Sequence, residues 1–117
     1  MRNTLLMRNG LVIDPNGNKI YYKDSLYHRE GNLPAYEYPD GGRFYYENGK
    51  LHRLNGLPAE EYSNGSKSYY EYGELHRLDG PAIDFLDAPS RWYIKGKRLS
   101  CTTQEEFEQL MKLKAFW

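Results

Sequence analysis

The chain has 117 residues, the length of one domain, and its 16 basic and 16 acidic residues give a formal net charge of zero. Proteins that bind nucleic acid through its phosphates usually carry an excess of basic residues, so the charge balance argues against a nucleic-acid partner. The sequence has no apolar run near the ~20 residues of a membrane span, and its single cysteine, Cys101, excludes an internal disulfide. We therefore expect a cytoplasmic protein without a membrane partner.

A unit of about 24 residues is repeated along the chain. Two copies, 33–56 (LPAYEYPDGGRFYYENGKLHRLNG) and 57–80 (LPAEEYSNGSKSYYEYGELHRLDG), align without a gap. A weaker copy precedes them at about 10–32, and a partial copy that lacks the His-Arg pair follows at about 81–100. Since each unit alone could not bury its rings, we interpret the chain as a single domain of stacked units.

Local signals within each unit are those of antiparallel β structure. In the second unit the turn sequence Pro39-Asp40-Gly41 precedes Arg43-Phe44-Tyr45-Tyr46, and aromatic residues of this kind favour a strand. A second turn, Glu47-Asn48-Gly49, leads to a short segment that ends at a Gly-Pro-type break. The prediction is a mainly β fold, in which tandem β-hairpins form an antiparallel, single-layer sheet.

Aromatic rings must form most of the core, because aliphatic residues are sparse and the chain has 12 Tyr, 4 Phe and 2 Trp. Successive side chains of a strand point to opposite faces of a sheet, so the aromatic pair of each unit predicts two opposite stripes. One stripe contains Tyr21, Tyr45, Tyr69 and Trp92, and the other contains Tyr22, Tyr46, Tyr70 and Tyr93. A third column, on the strand before the turn, contains Tyr38, Tyr62 and Phe85.

The end of the chain departs from the repeat and predicts one amphipathic helix at about 103–116. Thr103 and Glu106 have the spacing of a capping box. Apolar and long side chains follow at helical spacing, namely Phe107, Leu110, Met111 and Lys114. We expect this helix to cap the open edge or end of the sheet, which would otherwise invite aggregation. A helix that serves only to bind a partner is the alternative.

The unit Tyr-Tyr-x-x-Gly-x-Leu-His-Arg-x-x-Gly, followed by Pro-Ala and clearest in 33–82, resembles a repeat found in proteins of large bacteriophages and giant viruses. It is more distantly similar to the MORN (membrane occupation and recognition nexus) repeat. The resemblance implies a single-layer, MORN-like β-hairpin array that serves as a scaffold or protein-binding surface, with no catalytic residues to carry over. The closely spaced glycines of the MORN core are absent, so lipid binding is not implied.

A His-Arg pair recurs at 24-residue intervals, as His28-Arg29, His52-Arg53 and His76-Arg77. Equivalent histidines should lie two or three strands apart, roughly 10–14 Å, so they cannot share a metal ion at ~2.0–2.1 Å, and we expect no metal and no other cofactor. The favoured interpretation is architectural: the pair closes a loop by hydrogen bonds to neighbouring carbonyls and carboxylates. In the alternative the pairs form a row of anion sites for a phosphorylated small molecule or nucleic acid.

Acidic residues also recur, at Glu37, Glu60, Glu61 and Asp84. We interpret them as a solvated strand face paired with Lys and Arg. The sequence contains no Gly-rich phosphate loop, Ser-His-Asp constellation or zinc-type cysteine spacing. Every candidate polar group belongs to a repeated column, whereas an active site needs one converging constellation, so we predict no enzymatic activity.

Exposed tyrosines interleaved with arginines are typical of protein interfaces. Together with the resemblance, they predict a phage or other viral protein that binds a host protein in the host cytoplasm and modulates or inhibits it, for example a defence factor. The anchors should lie on the stripe that the terminal helix leaves uncovered, for which we select Tyr45, Tyr69 and Trp92, with Arg53 and Arg77 at the rim. Homo-oligomers stay open, because the array leaves sheet edges exposed.

Overall fold

The computed structural model describes residues 6–113 and is mainly β, with antiparallel hairpins and one C-terminal helix, as predicted. Most strands have only two residues, because each unit of about 24 residues contains several strands and the turns between them. The elements are β1 Gly10–Ile13, β2 Lys19–Lys23, β3 Leu26–Tyr27, β4 Tyr36–Glu37, β5 Arg43–Phe44, β6 Tyr46–Glu47, β7 Lys50–Leu51, β8 Glu60–Glu61, β9 Lys67–Ser68, β10 Tyr70–Glu71, β11 Glu74–Leu75, β12 Ile83–Asp84, β13 Tyr93–Ile94, β14 Lys97–Arg98 and α1 Gln104–Lys112.

The strands belong to one long sheet and a row of small hairpins. The main sheet has the order β1-β2-β4-β5-β8-β9-β12, with β3 paired to β2 outside this path. The hairpins β6–β7, β10–β11 and β13–β14 form separate two-stranded ladders. The predicted antiparallel hairpins are confirmed, but the ladder is interrupted within each later unit.

The interruption occurs where the chain leaves the main sheet, at Tyr45 and again at Tyr69. The amide of Tyr45 donates to the carbonyl of Ala59 in the next unit (2.7 Å), and its carbonyl accepts from the amide of His52 (3.0 Å). Tyr69 makes the equivalent bonds at the same distances. Because the two backbone groups of each residue bond to different segments, Tyr45 and Tyr69 lie between strands, where the chain passes from the main sheet into a small hairpin.

The small hairpins stack through their turns. Each turn glycine donates its amide to a carbonyl of the preceding unit over 2.7–2.8 Å: Gly49 to Tyr27, Gly73 to Leu51 and Gly96 to Leu75. Both central residues of a turn have positive φ, as in Asn48 (49°) and Gly49 (83°), which is the signature of a type I′ turn. Lys95 has the same conformation (φ 49°), which is unfavourable for a lysine.

The helix α1 covers the last ring of the first stripe. Phe107 is 1% exposed and its ring centroid lies 6.4 Å from that of Trp92, whose indole N–H donates to Oε1 of Gln104 (3.0 Å). Thr103 is the N-cap, as predicted, and its hydroxyl accepts from the amide of Glu106 (3.1 Å). The Glu106 carboxylate reaches the amide of Thr102 (2.8 Å), one residue earlier than in a standard capping box. The helix ends at Lys112 rather than 116, and Lys114 lies outside the described residues.

Candidate binding faces

The histidines of the His-Arg pairs join each unit to the next. In every pair Nδ1 accepts a backbone amide from the following hairpin turn over 2.9 Å: His28 from Asn48, His52 from Tyr72 and His76 from Lys95. At Nδ1 the partner is therefore an N–H donor, where the sequence predicted carbonyls and carboxylates; the predicted carboxylate partner is present for His28, whose Nε2 bonds Glu30. Nε2 faces an acid in the first two units, at 2.6 Å from Oε2 of Glu30 for His28 and 3.4 Å from Oε2 of Glu47 for His52.

The arginines of the same pairs close the loops, as the architectural interpretation predicted. Each guanidinium lies over a ring of the first stripe, 3.8–3.9 Å from its centroid: Arg29 over Tyr21, Arg53 over Tyr45 and Arg77 over Tyr69. Each also donates to a proline carbonyl at 3.1–3.2 Å: Pro34, Pro58 and Pro81. A carboxylate completes each group, from Glu37 (3.8 Å), Glu61 (3.1 Å) and Asp79 (3.1 Å). These contacts hold each guanidinium in place and set a carboxylate beside it, which opposes the approach of an external anion.

The selected anchor residues lie inside the molecule. Tyr45 is 6% exposed, Tyr69 8% and Trp92 4%. Arg53 and Arg77 cover the first two rings, and α1 covers the third. Their stripe is therefore the interior of the array, and its surface is occupied by the chain itself.

Charged residues form a row across the main sheet, on the face that carries this stripe. The strand register places them directly opposite one another, and in order across the sheet they alternate in sign: Lys19, Glu37, Arg43, Glu61, Lys67 and Asp84. We refer to this row as the charge ladder. Opposite charges at such cross-strand positions contribute roughly 0.2–1 kcal/mol per pair. The interpretation of these acids as paired with Lys and Arg is confirmed for Glu37 and Glu61, which lie within 4 Å of Arg29 and Arg53. Asp84 stands opposite Lys67 in the strand register.

The other face of the sheet is aromatic. Eight rings form one connected network with neighbouring centroids 4.7–5.7 Å apart, mostly edge to face. We call this network the aromatic face: Tyr22, Tyr27, Tyr36, Tyr38, Phe44, Tyr46, Tyr62 and Phe85. None of these rings is fully buried, and Tyr38 is the most open, at 37%. The predicted column of Tyr38, Tyr62 and Phe85 lies here and is bridged by Phe44.

Glu60 is the acid that departs from the prediction. It stands opposite Phe44 and Ser68, on the aromatic side of the sheet, and is 9% exposed. Adjacent residues of a strand point to opposite faces, so Glu60 and Glu61 are separated by the sheet. The hydroxyl of Tyr62 donates to Oε1 of Glu60 (3.0 Å). Burial raises the pKa of Glu60, and the hydrogen bonds of Tyr62 and Ser68 oppose this shift only in part.

The loops after the His-Arg pairs form a third surface, on the side of the first stripe. They expose four leucines, Leu33, Leu54, Leu57 and Leu78. Grooves of about 150 and 330 Å³ lie between successive loops, lined by the His-Arg pairs and these leucines. Nε2 of His52 is buried beside the first groove with no hydrogen-bond partner in the described part of the chain.

Within residues 6–113 no group of three or more His, Cys, Asp or Glu side chains is arranged to hold a metal ion. In the same range no helix is long and apolar enough to cross a membrane. Comparisons with protein-family models, with curated proteins and with solved structures found no match to the chain.

Proposed function

We propose that the protein is a non-enzymatic binding module that binds another protein through its aromatic face. The observation that carries this proposal is the connected network of half-exposed rings from Tyr22 to Phe85. Large contiguous aromatic surfaces are unusual on a small soluble domain and are enriched at protein interfaces. The opposite face offers no comparable surface, because its rings are covered and its sheet positions carry charged residues of alternating sign.

The polar groups of the repeat support a binding role over a catalytic one. Each histidine uses Nδ1 to hold the next unit, and each arginine is held by a ring, a carbonyl and a carboxylate. Groups that are engaged in this way are poorly placed to act as a base or to stabilise a transition state. The second proposed role, anion binding on the His-Arg edge, is disfavoured by the same contacts.

The partner that we propose is a host protein. The support is the resemblance of the repeat to those of phage and giant-virus proteins. A small chain without catalytic groups acts stoichiometrically, so it would modulate or inhibit that partner by covering part of its surface.

A displayed library of random dodecapeptides tests the proposed surface. Peptides enriched on the wild type should bind a Tyr38→Ala/Phe85→Ala variant at least about tenfold more weakly, the usual effect of losing central aromatic contacts. The matched control is Leu54→Ala/Leu78→Ala, which removes two exposed apolar side chains from the loop surface. It should bind like the wild type, and both variants should keep the wild-type amide NMR pattern.

If Leu54→Ala/Leu78→Ala weakens peptide binding and Tyr38→Ala/Phe85→Ala does not, the loops bind the peptides and the proposal is contradicted. Enrichment of acidic or phosphorylated sequences whose binding collapses with salt would instead favour the His-Arg edge.

A further inference from the structure

Glu60 is an acid without a basic partner on the aromatic side of the sheet. Among the ion pairs of residues 6–113, none involves Glu60. Its neighbour Glu61, on the opposite face, lies 3.1 Å from Arg53 and stands between Arg43 and Lys67 in the charge ladder. The sheet therefore balances one glutamate of the adjacent pair and leaves the other unbalanced.

The surroundings of Glu60 add to its negative character. Burial and then the nearby charge of Glu60 raise the pKa of Tyr46 to about 12, and the same two causes raise the pKa of Tyr62 and of Tyr70. Across the sheet Glu60 stands opposite Phe44 and Ser68, neither of which is basic. Ring faces carry negative electrostatic potential, so the patch formed by Tyr46, Glu60, Tyr62 and Tyr70 attracts a cation.

The chain itself shows which cation such a patch accepts. On the opposite face the guanidinium of Arg53 lies 3.8 Å from the ring centroid of Tyr45 and 3.1 Å from Oε2 of Glu61. Arginine suits this arrangement because its planar group stacks on a ring and bonds a carboxylate at the same time, and it loses less hydration than a lysine. The patch at Glu60 has the same tyrosine–carboxylate contact, since the hydroxyl of Tyr62 donates to Glu60 (3.0 Å) as that of Tyr45 donates to Glu61 (3.2 Å). Within residues 6–113 no arginine lies over a ring of this patch.

We propose that the patch formed by Tyr46, Glu60, Tyr62 and Tyr70 is a recognition site for an arginine side chain of the partner protein. The guanidinium lies over the tyrosine rings and pairs with Glu60, in the arrangement that Arg53 has with Tyr45 and Glu61. This inference rests on the proposed function of the aromatic face and names the chemistry of its partner.

Two synthetic peptides that differ in one group test the inference: acetyl-Gly-Leu-Arg-Leu-Gly-amide and its citrulline counterpart, which has the same shape and no charge. Each is titrated into the full chain while the tyrosine ring signals are followed by NMR. We expect saturable shifts of the Tyr46, Tyr62 and Tyr70 signals, with the citrulline peptide about fivefold weaker. Glu60→Gln should abolish this difference, and Asp84→Asn, which removes an acid from the opposite face, should leave it intact.

Equal binding of the two peptides, a preference that survives Glu60→Gln, or the absence of shifts in these rings would each overturn the inference. If both peptides bind the aromatic face equally, the face remains a protein-binding surface and only the arginine recognition fails. The same ring signals shifting when the protein alone is concentrated would identify a second copy of the chain as the occupant and also overturn it.

Discussion

An imidazole that accepts a backbone amide proton at Nδ1 must keep its own proton on Nε2, so the hydrogen bonds between units fix the tautomer of each histidine. His52 is the clearest case, because it is buried and also stacks on the ring of Tyr72 (centroids 4.0 Å apart). The imidazole thereby replaces a carbonyl as the acceptor that joins two hairpins. Its recurrence with the repeat follows from this architectural use.

Replacing His52 by Ala leaves the Tyr72 amide without its acceptor, and we expect a loss of about 1–3 kcal/mol in the free energy of unfolding. Asn places its Oδ1 near the position of Nδ1, so His52→Asn should recover part of that loss. Urea unfolding of the two variants measures both effects. Equal losses would show that the imidazole stabilises the fold by packing alone.

Glu60→Gln tests the electrostatics of the aromatic face. Burial raises the pKa of Glu60 above its ordinary value of 4.5, which means that the fold prefers the protonated acid. The contribution of Glu60 to stability is then present below pH 4.5 and is lost as the pH rises through the raised pKa. We expect Glu60→Gln to be more stable than the wild type at neutral pH and to converge with it in acid.

The measurement is the urea midpoint of both proteins at a series of pH values. The difference between the two midpoints reports on Glu60, because the other carboxyl groups are present in both proteins and their effects cancel. Glu61→Gln is the matched control and should destabilise the protein at neutral pH, since Arg53 then loses its carboxylate. A Glu60→Gln variant that is less stable than the wild type at neutral pH would contradict the raised pKa.

The sequence could not predict which of two neighbouring residues takes part in the site and which lies on the other face of the sheet. Glu60 and Glu61 look alike in the sequence, and only the strand register places one in the charge ladder and the other among rings. The two aromatic stripes were predicted on opposite faces. Which stripe stays exposed depends on the path of a flexible side chain, because Arg53 folds back over Tyr45. The charge ladder itself could have been predicted, because the charges of Lys19, Glu37 and Arg43 alternate in sign along the sequence.

Hairpins are the elements that the sequence predicts best, since their turns need residues that tolerate positive φ. Asn48-Gly49 is such a sequence and forms the predicted turn. The interruption of the ladder at Tyr45 was not predicted, because it depends on a hydrogen bond to Ala59 of the next unit, and no local pattern encodes that contact. The helix was predicted correctly at its N-terminus, where the capping residues are local.

Lys95→Asn tests the energetics of these turns. Lysine at φ 49° adopts a conformation that asparagine tolerates better, so the substitution should stabilise the protein by about 1 kcal/mol, the low end of the cost of a left-handed non-glycine residue. The amide of residue 95 still donates to His76, because the backbone is unchanged. Thermal unfolding measures the gain.

The reciprocal control, Asn48→Lys in the equivalent turn, should lower the unfolding temperature by a similar amount. A loss of stability in Lys95→Asn would show that the lysine side chain makes a contact that compensates for its backbone conformation.

Across the whole molecule, stability depends on contacts between neighbouring units, and the unit at 81–100 is followed directly by α1. The helix covers this unit, with Gln104 and Phe107 over Trp92 where the earlier rings have an arginine. Phe107→Ala should therefore cost about 3–5 kcal/mol and open the end of the array. The indole N–H signal of Trp92 should then exchange faster with solvent.

Leu113→Ala, an exposed position just after the helix, is the control and should change stability little. If both substitutions have equally small effects, α1 does not stabilise the array, and its role as a partner-binding helix becomes the better explanation.

The charge ladder restricts which strands can pair when the array assembles. Each full unit contributes one acid and one base, so strands that pair correctly always differ in sign, while a strand that skips one neighbour meets its own sign. Pairing β5 with β9, for example, would set Arg43 against Lys67. The alternation therefore discourages a strand from skipping a single neighbour, whereas a slip by a whole unit, such as β5 onto β12, would set Arg43 against Asp84 and keep opposite signs. For the same reason the ladder allows the array to grow by duplication of a unit, because an added copy of 57–80 continues the same alternation.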